Sequence, residues 1–414
     1  MSKENIIVGI DVGSSVTRAI IAQDVNGAEI PRIIGVGIVP SFGMRKGVIV
    51  DMEEIVKVIN EAVETCERMA GITAREAVVS IGGPEINFQN SKGVIAIGRA
   101  DGEVTEEDLS RVLSEAQAVP VPLNKEIIHI IPQNYRLDDQ ENIKDPMGMK
   151  GVRLEVNALI IDASSSHIKN LTKCVNQAGI EVEELVLAPL ASAKSVITKK
   201  QKELGSVLVN IGGGTTSLAV FEEGDLIHTA ILPIGAGHIT NDIAIGLRTS
   251  IEVAEKIKLE YGSAIADEIG KKEEIDLADF DSQEVGTVLR HHVAEIIEAR
   301  LEEIFLMVNK ELKSIGKAGL LPAGAILTGG GAKLPQVVDL CKNILGLPSQ
   351  IGFPVNLGGM MDKVDDPSFA TVVGLVLWSR ERMMFNKKGL FNNISIGTGG
   401  TVKKMKSWIG KFLP

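Results

Sequence analysis
No stretch of this sequence approaches the roughly eighteen uninterrupted apolar residues needed to cross a bilayer. A membrane-spanning helix is excluded on that ground. Cysteine is scarce: Cys66, Cys174 and Cys341 stand far apart and form no CxxC pair. The odd number and wide spacing fit a reducing compartment and buried thiols better than a disulfide framework. Basic charge is in deficit, with a net charge of -11. A duplex-binding domain carries a basic face, so nucleic acid is excluded as the main partner and any basic function has to be local. The opening residues lead directly into an apolar strand with no charged n-region and long apolar segment, so export is not expected. No Ser-His-Asp or Cys-His order stands out. The adjacent His291 and His292 point apart on a helix and read as surface or packing residues. His129, His167, His228 and His238 are isolated, and Ser164 to Ser166 read as a helix cap.

What the chain does contain is apolar residues (44%) and 43 glycines within 414 residues. That is enough for two or more buried cores. The glycines fall in tight clusters, as in phosphate-cradling turns rather than flexible linkers. The clearest pattern is a repeat. Residues 6 to 22 (IIVGIDVGSSVTRAIIA) and 206 to 222 (SVLVNIGGGTTSLAVFE) each read as two hairpin strands around a small-residue loop. A further strand follows each unit, at 33 to 39 and at 225 to 234, and later helices would cover the sheet in an α/β layer architecture. Three- and four-residue spacing of apolar positions predicts amphipathic helices over 51–70 and 291–312. Residues 85 to 160 read as an inserted α+β subdomain with one helix near 106–119. The polar stretch 267–284 reads as a surface excursion within a second insertion, after the second hairpin unit.

The glycine clusters carry the chemistry. In Asp11, Gly13, Ser14 and Ser15, a strand delivers a carboxylate and then a turn whose N–H groups and hydroxyls can face phosphate oxygens. Asp11 would hold Mg²⁺ through water, because a small hard cation keeps much of its hydration. Gly212, Gly213, Gly214, Thr215 and Thr216 offer the same loop from the other half. A third cluster, Gly329, Gly330 and Gly331, follows a strand and is expected to open a helix whose N-terminus faces adenine or an α-phosphate. Gly237 lies in a segment that starts another helix, and the polar Glu255 and Lys258 beyond it read either as reaching a ribose or as plain helix surface.

These motifs, with the segments AEKIKLEYG and IIHIIPQNY…IKDPMGMKGVRLEV, resemble the actin, Hsp70 and sugar-kinase superfamily, and within it the FtsA family of bacterial cell-division proteins. The resemblance covers nearly the whole chain. It implies an α/β, actin-like two-domain ATPase fold with an inserted subdomain of the FtsA 1C type and a C-terminal amphipathic helix. The implied borders are subdomain 1A at 1–84 plus 161–197, 1C at 85–160, 2A at 198–240 plus 313–385 and 2B at 241–312, then a flexible linker at 386–400. ATP and Mg are the implied ligands, with Arg18 near the phosphates and Asn210 where many relatives place an Asp, leaving a neutral side chain to face the metal through water. Ala188 stands where hydrolytic relatives carry a Glu. Loss of a general base removes about 10² to 10⁴ in rate, so slow turnover is expected.

The resemblance further implies a partner, the C-terminal peptide of FtsZ, with Arg300 and Glu303 as contacts. It also implies filaments of the chain with itself and other division proteins recruited through the inserted subdomain. A pilus-assembly actin-like protein and a small-molecule kinase are the alternatives. Residues 401–414 argue against both. On a helix, Val402, Met405, Trp408, Ile409, Phe412 and Leu413 share one face bordered by Lys403, Lys404, Lys406 and Lys411. Such a helix lies in the headgroup region of anionic lipid, the alternative being a helix docked on its own protein or on a partner; the family resemblance implies a location at the cytoplasmic face of the cell membrane at the division site.

Overall fold
The computed structural model describes residues 5–25, 28–282 and 284–387. The chain opens with three antiparallel strands, β1 (Asn5–Val12), β2 (Val16–Asp24) and β3 (Arg32–Pro40). A short hairpin follows, β4 (Met44–Arg45) and β5 (Val48–Ile49), and then helix α1 (Met52–Ala70) and strand β6 (Glu76–Ile81). Asp51 caps α1 by accepting the N–H groups of Glu53 and Glu54, and Gly71 ends it in the left-handed conformation at φ 68°.

Helix α1 lies directly on β3 because two glycines on one face of the strand leave room for its backbone. A Cβ at Gly35 would come 2.5 Å from the Cys66 carbonyl oxygen, and one at Gly37 would come 1.9 Å from that of Ala62. The Cys66 thiol, pushed up to about 12 by burial, donates to the Ala19 carbonyl at 3.0 Å. Gly37→Ala should therefore force α1 off the sheet and cost about 2 to 3 kcal/mol. Chemical denaturation checks this, and an unchanged midpoint would refute it.

The inserted elements form their own compact unit, Glu85–Lys169 together with residues from Val376 on. Strand β7 (Ile86–Ala96), helix α2 (Glu106–Gln117) and strands β8 (Lys125–Leu137), β9 (Gln140–Ile143) and β10 (Arg153–Ser164) build an antiparallel sheet of order β7-β10-β8-β9. Leu154, Val156, Ala158 and Ile160 alternate along β10 and are buried. Leu109, Val112, Leu113 and Ala116 of α2 are buried too, and Gly93 of β7 lets the Val112 carbonyl approach. The α+β character read from the sequence is what is observed.

The other unit takes Met1–Pro84 and Asn170–Leu375, so the three remaining expected subdomains fall together. Helix α3 (Ser165–Gln177) leads to β11 (Glu181–Leu187), α4 (Ala188–Val196) and α5 (Lys199–Leu204). The second hairpin unit then follows as β12 (Ser206–Ile211), β13 (Thr216–Glu222) and β14 (Asp225–Leu232). Helices α6 (Ala236–Leu247) and α7 (Ile251–Tyr261) come next, then the small pair β15 (Glu274–Asp276) and β16 (Thr287–Leu289), and the long α8 (Arg290–Ser314). Strand β17 (Gly324–Thr328), helix α9 (Val337–Leu345), β18 (Ser349–Ile351), β19 (Gly358–Gly359), α10 (Met361–Val364) and α11 (Ala370–Lys387) complete the described chain.

The repeat seen in the sequence is a repeat in topology. One sheet has order β11-β6-β1-β2-β3-β19 and the other β14-β13-β12-β17-β18. In each, a three-strand antiparallel meander gains two parallel strands beside its first strand. The core of the second sheet takes Val207, Val209, Leu218 and Leu327 with Ile239, Val293, Ile297, Phe305 and Val308 from the helices.

Two expectations are corrected. The stretch 267–284 is not only surface: it holds β15 and short 3-10 turns, and Ile275 and Leu277 are buried in the core. Apolar residues spaced two apart amid charge were too sparse to read as a strand. The glycines 329–331 do not open an α-helix either. Gly329 caps a four-residue 3-10 turn (Gly330–Lys333) that includes the other two, and α9 starts only after Pro335 and a left-handed Gln336 (φ 63°). The expected linker and lipid-binding helix lie outside the described residues, apart from α11 running on to Lys387. No helix among the described residues is long and apolar enough to cross a membrane.

Candidate functional site
The two glycine loops meet. The first turns between β1 and β2, and the second between β12 and β13. A Cβ added at Gly213 would come 1.9 Å from Ser15 Oγ and 2.8 Å from Ser15 Cβ, and one at Gly214 would come 2.6 Å from Ser14 Oγ. Only glycine permits this approach of one backbone to the other loop. The N–H groups of Ser14, Ser15, Gly213 and Gly214 donate to no acceptor among the described residues. Successive N–H groups left without an acceptor in this way are the kind that bind anions.

Helix α6 docks its first turn on the second loop. The N–H groups of Ala236 and Gly237 donate to the carbonyls of Gly212 and Gly213, each at 2.8 Å, and a Cβ at Gly237 would meet the Gly213 oxygen at 2.9 Å. These amides fix the loop and are not free for an anion. Gly13 is held against the Val16 carbonyl in the same manner, and the Thr216 hydroxyl is buried with no partner.

Asp11, one residue before the end of β1, pairs in register with Arg18 across the hairpin. Burial pushes its carboxyl up from the ordinary range, against the Ser80 hydroxyl, which donates to Oδ1 at 2.6 Å, and the nearby Arg18 charge. The Arg18 guanidinium is pushed down by burial, opposed by Asp11 and Asp366. It stacks over the Phe369 ring at 5.3 Å, and its Nε is buried without a partner. A half-buried acid short of positive charge beside an arginine with a spare donor suits an anion accompanied by a hard cation.

The third glycine cluster packs on the second loop's strand. A Cβ at Gly329 (φ 85°) would come 2.3 Å from Asn210 Oδ1, and one at Gly331 would come 2.4 Å from Ile211 Cγ2, whereas Gly330 faces open space. Asn210 Nδ2 donates to Ser192 Oγ at 3.0 Å and to Thr371 Oγ1 at 3.2 Å. That network joins β12 to α4 and α11. Ala188 heads α4 beside Gly82, and its carbonyl accepts from Ser192 at 2.9 Å.

Glu255 and Lys258 form one cluster between α6 and α7. Lys258, buried, donates to Glu255 at 2.6 Å and to Thr240 Oγ1 at 2.8 Å, and Thr240 donates to Glu255. Arg300 on α8 makes a two-pronged bond to Asp242, with Nε at 2.6 Å and Nη2 at 2.8 Å, and a further bond to Glu303. The Asp242 bond is the main reason its guanidinium is held above its ordinary value. His291 bonds the Ala266 carbonyl and His292 pairs with Glu295, in keeping with packing and surface roles. The three cysteines are free and buried.

Sequence reasoning missed several residues here. Ser80 of β6 reaches Asp11, the tip of the β4–β5 hairpin reaches Ser14 of the first loop, and Gly83 just past β6 packs on that tip. Asp366 pairs with Lys333 at 2.5 Å. Burial would raise its carboxyl, but hydrogen bonds from Lys333 and Ser368 hold it below the ordinary range. The basic-glycine turn at Arg45 to Gly47 is a turn signal that the sequence does carry. Asp366 has no such signal.

A family model described as "Cell division protein FtsA" matches residues 207–374, and one described as "SHS2 domain inserted in FTSA" matches residues 83–162. The cell division protein FtsA of Pseudomonas aeruginosa is 37% identical over 411 residues, covering 98% of each chain. Among solved structures, a PilM-PilN type IV pilus biogenesis complex matches with a TM-score of 0.63 at 17% identity, over 90% of this chain and 97% of that one. MreB 5 of Spiroplasma citri bound to AMPPNP matches with a TM-score of 0.54 at 14% identity, over 93% of this chain and 99% of that one. These two establish the actin-like fold, and the full-length identity with the Pseudomonas protein establishes more: the chain belongs to the FtsA family of cell-division proteins.

Proposed function
We propose that this actin-like cell-division protein holds ATP with Mg²⁺, lies at the cytoplasmic face of the membrane at the division site and anchors FtsZ filaments there. It assembles with itself into filaments and recruits later division proteins through residues 85–160. The observation that carries the nucleotide reading is the meeting of Ser14 and Ser15 with Gly213 and Gly214, backed by the unpartnered Arg18 Nε. Asp11 would hold the metal through water, and Asn210 would face it with a neutral amide. Glu255 and Lys258 would meet the ribose, and Gly329 to Gly331 the adenine side. The metal's part is to offset the phosphate charge.

Turnover is slow in this reading. The methyl of Ala188 beside Gly82 offers no carboxylate to orient a water. Nucleotide then sets shape and assembly. For FtsZ, Arg300 and Glu303 present a charge pair on α8 that its C-terminal peptide would meet. ATP at 100 times its dissociation constant, with Mg²⁺, should stabilise the full chain by about 2.7 kcal/mol. Thermal melts with and without MgATP check this. An unshifted melt, or phosphate release at several per second, would overturn the respective half of the proposal.

A further inference from the structure
The β4–β5 hairpin has only two residues in each strand, yet its tip is not a free surface turn. Its flanks are anchored: Ser41 N–H donates to the Ser15 carbonyl at 2.9 Å, and the N–H groups of Val50 and Asp51 donate to the Gly43 carbonyl at 2.9 and 3.1 Å. The tip residues Lys46 (φ 50°) and Gly47 (φ 77°) then turn onto both glycine loops. Gly47 N–H donates to Ser14 Oγ at 3.0 Å. A Cβ at Gly47 would come 2.7 Å from Gly83 Cα and 3.3 Å from Thr215 Cγ2, and one at Gly214 would come 3.1 Å from Lys46 N. Four segments distant in sequence therefore touch at this tip. Lys46 is exposed and makes no ion pair among the described residues.

Resting on the nucleotide reading above, we infer that Lys46 and Gly47 form a third arm of the phosphate cradle, one that recognises the terminal phosphate and so separates a nucleoside triphosphate from a diphosphate. The chemistry is that of a point charge on a pinned tip. A lysine on a flexible stem suits a terminal phosphate with several equivalent oxygens, and the Gly47 amide, which donates to the Ser14 hydroxyl, holds the tip against the first loop. Glycine at 47 and at 83 is required for the tip to descend that far, since either Cβ would strike the other backbone. Loops 13–15 and 212–215 hold the inner phosphates through backbone groups, which are the same for both nucleotides. The added charge of Lys46 acts on the phosphate that only one of them has.

The test is isothermal titration of the full chain with MgATP and with MgADP, for the wild type, Lys46→Ala, Lys46→Arg and the control Lys57→Ala on the exposed face of α1. Lys46→Ala should lose about tenfold in ATP affinity and about twofold or less in ADP affinity, because a charge-assisted contact is lost on one ligand alone. Lys46→Arg should recover most of the loss, and Lys57→Ala should leave both affinities unchanged. If Lys46→Ala binds both nucleotides as the wild type does, or loses both equally, the hairpin does not read the terminal phosphate. A wild type that binds neither nucleotide removes the nucleotide reading itself, a result distinct from an unaltered Lys46→Ala.

Discussion

Gly213→Val should lower the affinity for MgATP by about 10² or more while leaving the far-ultraviolet circular dichroism unchanged. The new Cβ would lie 1.9 Å from Ser15 Oγ and 2.8 Å from Ser15 Cβ. Rotating the serine hydroxyl relieves the first contact but not the second, and the two valine methyls add bulk at the same point. The loops have to part, and with them the N–H groups of Ser14, Ser15 and Gly214. Displacing such donors by an ångström is enough to lose their joint grip on an anion. Little of the core is at stake, because Ile211 and Thr216 on either side stay paired in the β12–β13 ladder. Gly358→Ala, outside the glycine loops, is the matched control: its Cβ would meet nothing closer than 3.6 Å. It should bind within about threefold of the wild type, less than a single hydrogen bond is worth. Binding by Gly213→Val at wild-type strength would show that the meeting of the loops is unrelated to nucleotide.

How much of this was legible depended on distance along the chain. The meanders β1–β2–β3 and β12–β13–β14 are local, so alternating apolar residues and small-residue turns gave them away. Helix α1 was legible to within a residue, because its cap, Asp51, and its apolar spacing are both written locally. The parallel strands β6, β11, β17 and β18 took their places from pairing with residues tens to well over a hundred positions away. No local pattern states that register. The two-residue strands β4 and β5 are too short for any period, so the tip carrying Lys46 and Gly47 escaped notice. The amide of Asn210 illustrates a further limit. Its partners Ser192 and Thr371 stand 18 and 161 positions away, and each alone is an unremarkable residue on an apolar helix. The tertiary fold makes them a network. Asp366 is similar, an acid in an ordinary acidic turn until Lys333 and Arg18 are brought beside it.

Removal of residues 401–414 should abolish sedimentation of the protein with vesicles containing anionic lipid. Those residues lie outside the described part of the chain, and their sequence and charge carry the expectation. The segment holds four lysines and no acid, in a chain whose net charge is -11. The body is thus repelled by an anionic surface and attraction has to come from the tail. Each lysine near such a surface contributes about 1 kcal/mol, so four contribute about 4 kcal/mol, close to three orders of magnitude in partition. Val402, Met405, Trp408, Ile409, Phe412 and Leu413 add apolar burial on the same helical face. Two signatures separate this from an ordinary protein contact. Raising the salt should release the full chain progressively, because the lysine contribution is screened. Vesicles of neutral lipid should bind it far more weakly at the same salt. Trp408→Glu should match the truncation nearly in full, since it places a charge where the helix would enter the acyl boundary. Should the chain ending at Gly400 pellet as well as the intact one, the attachment lies elsewhere, and the anchoring of FtsZ filaments would have to be rebuilt on a different surface.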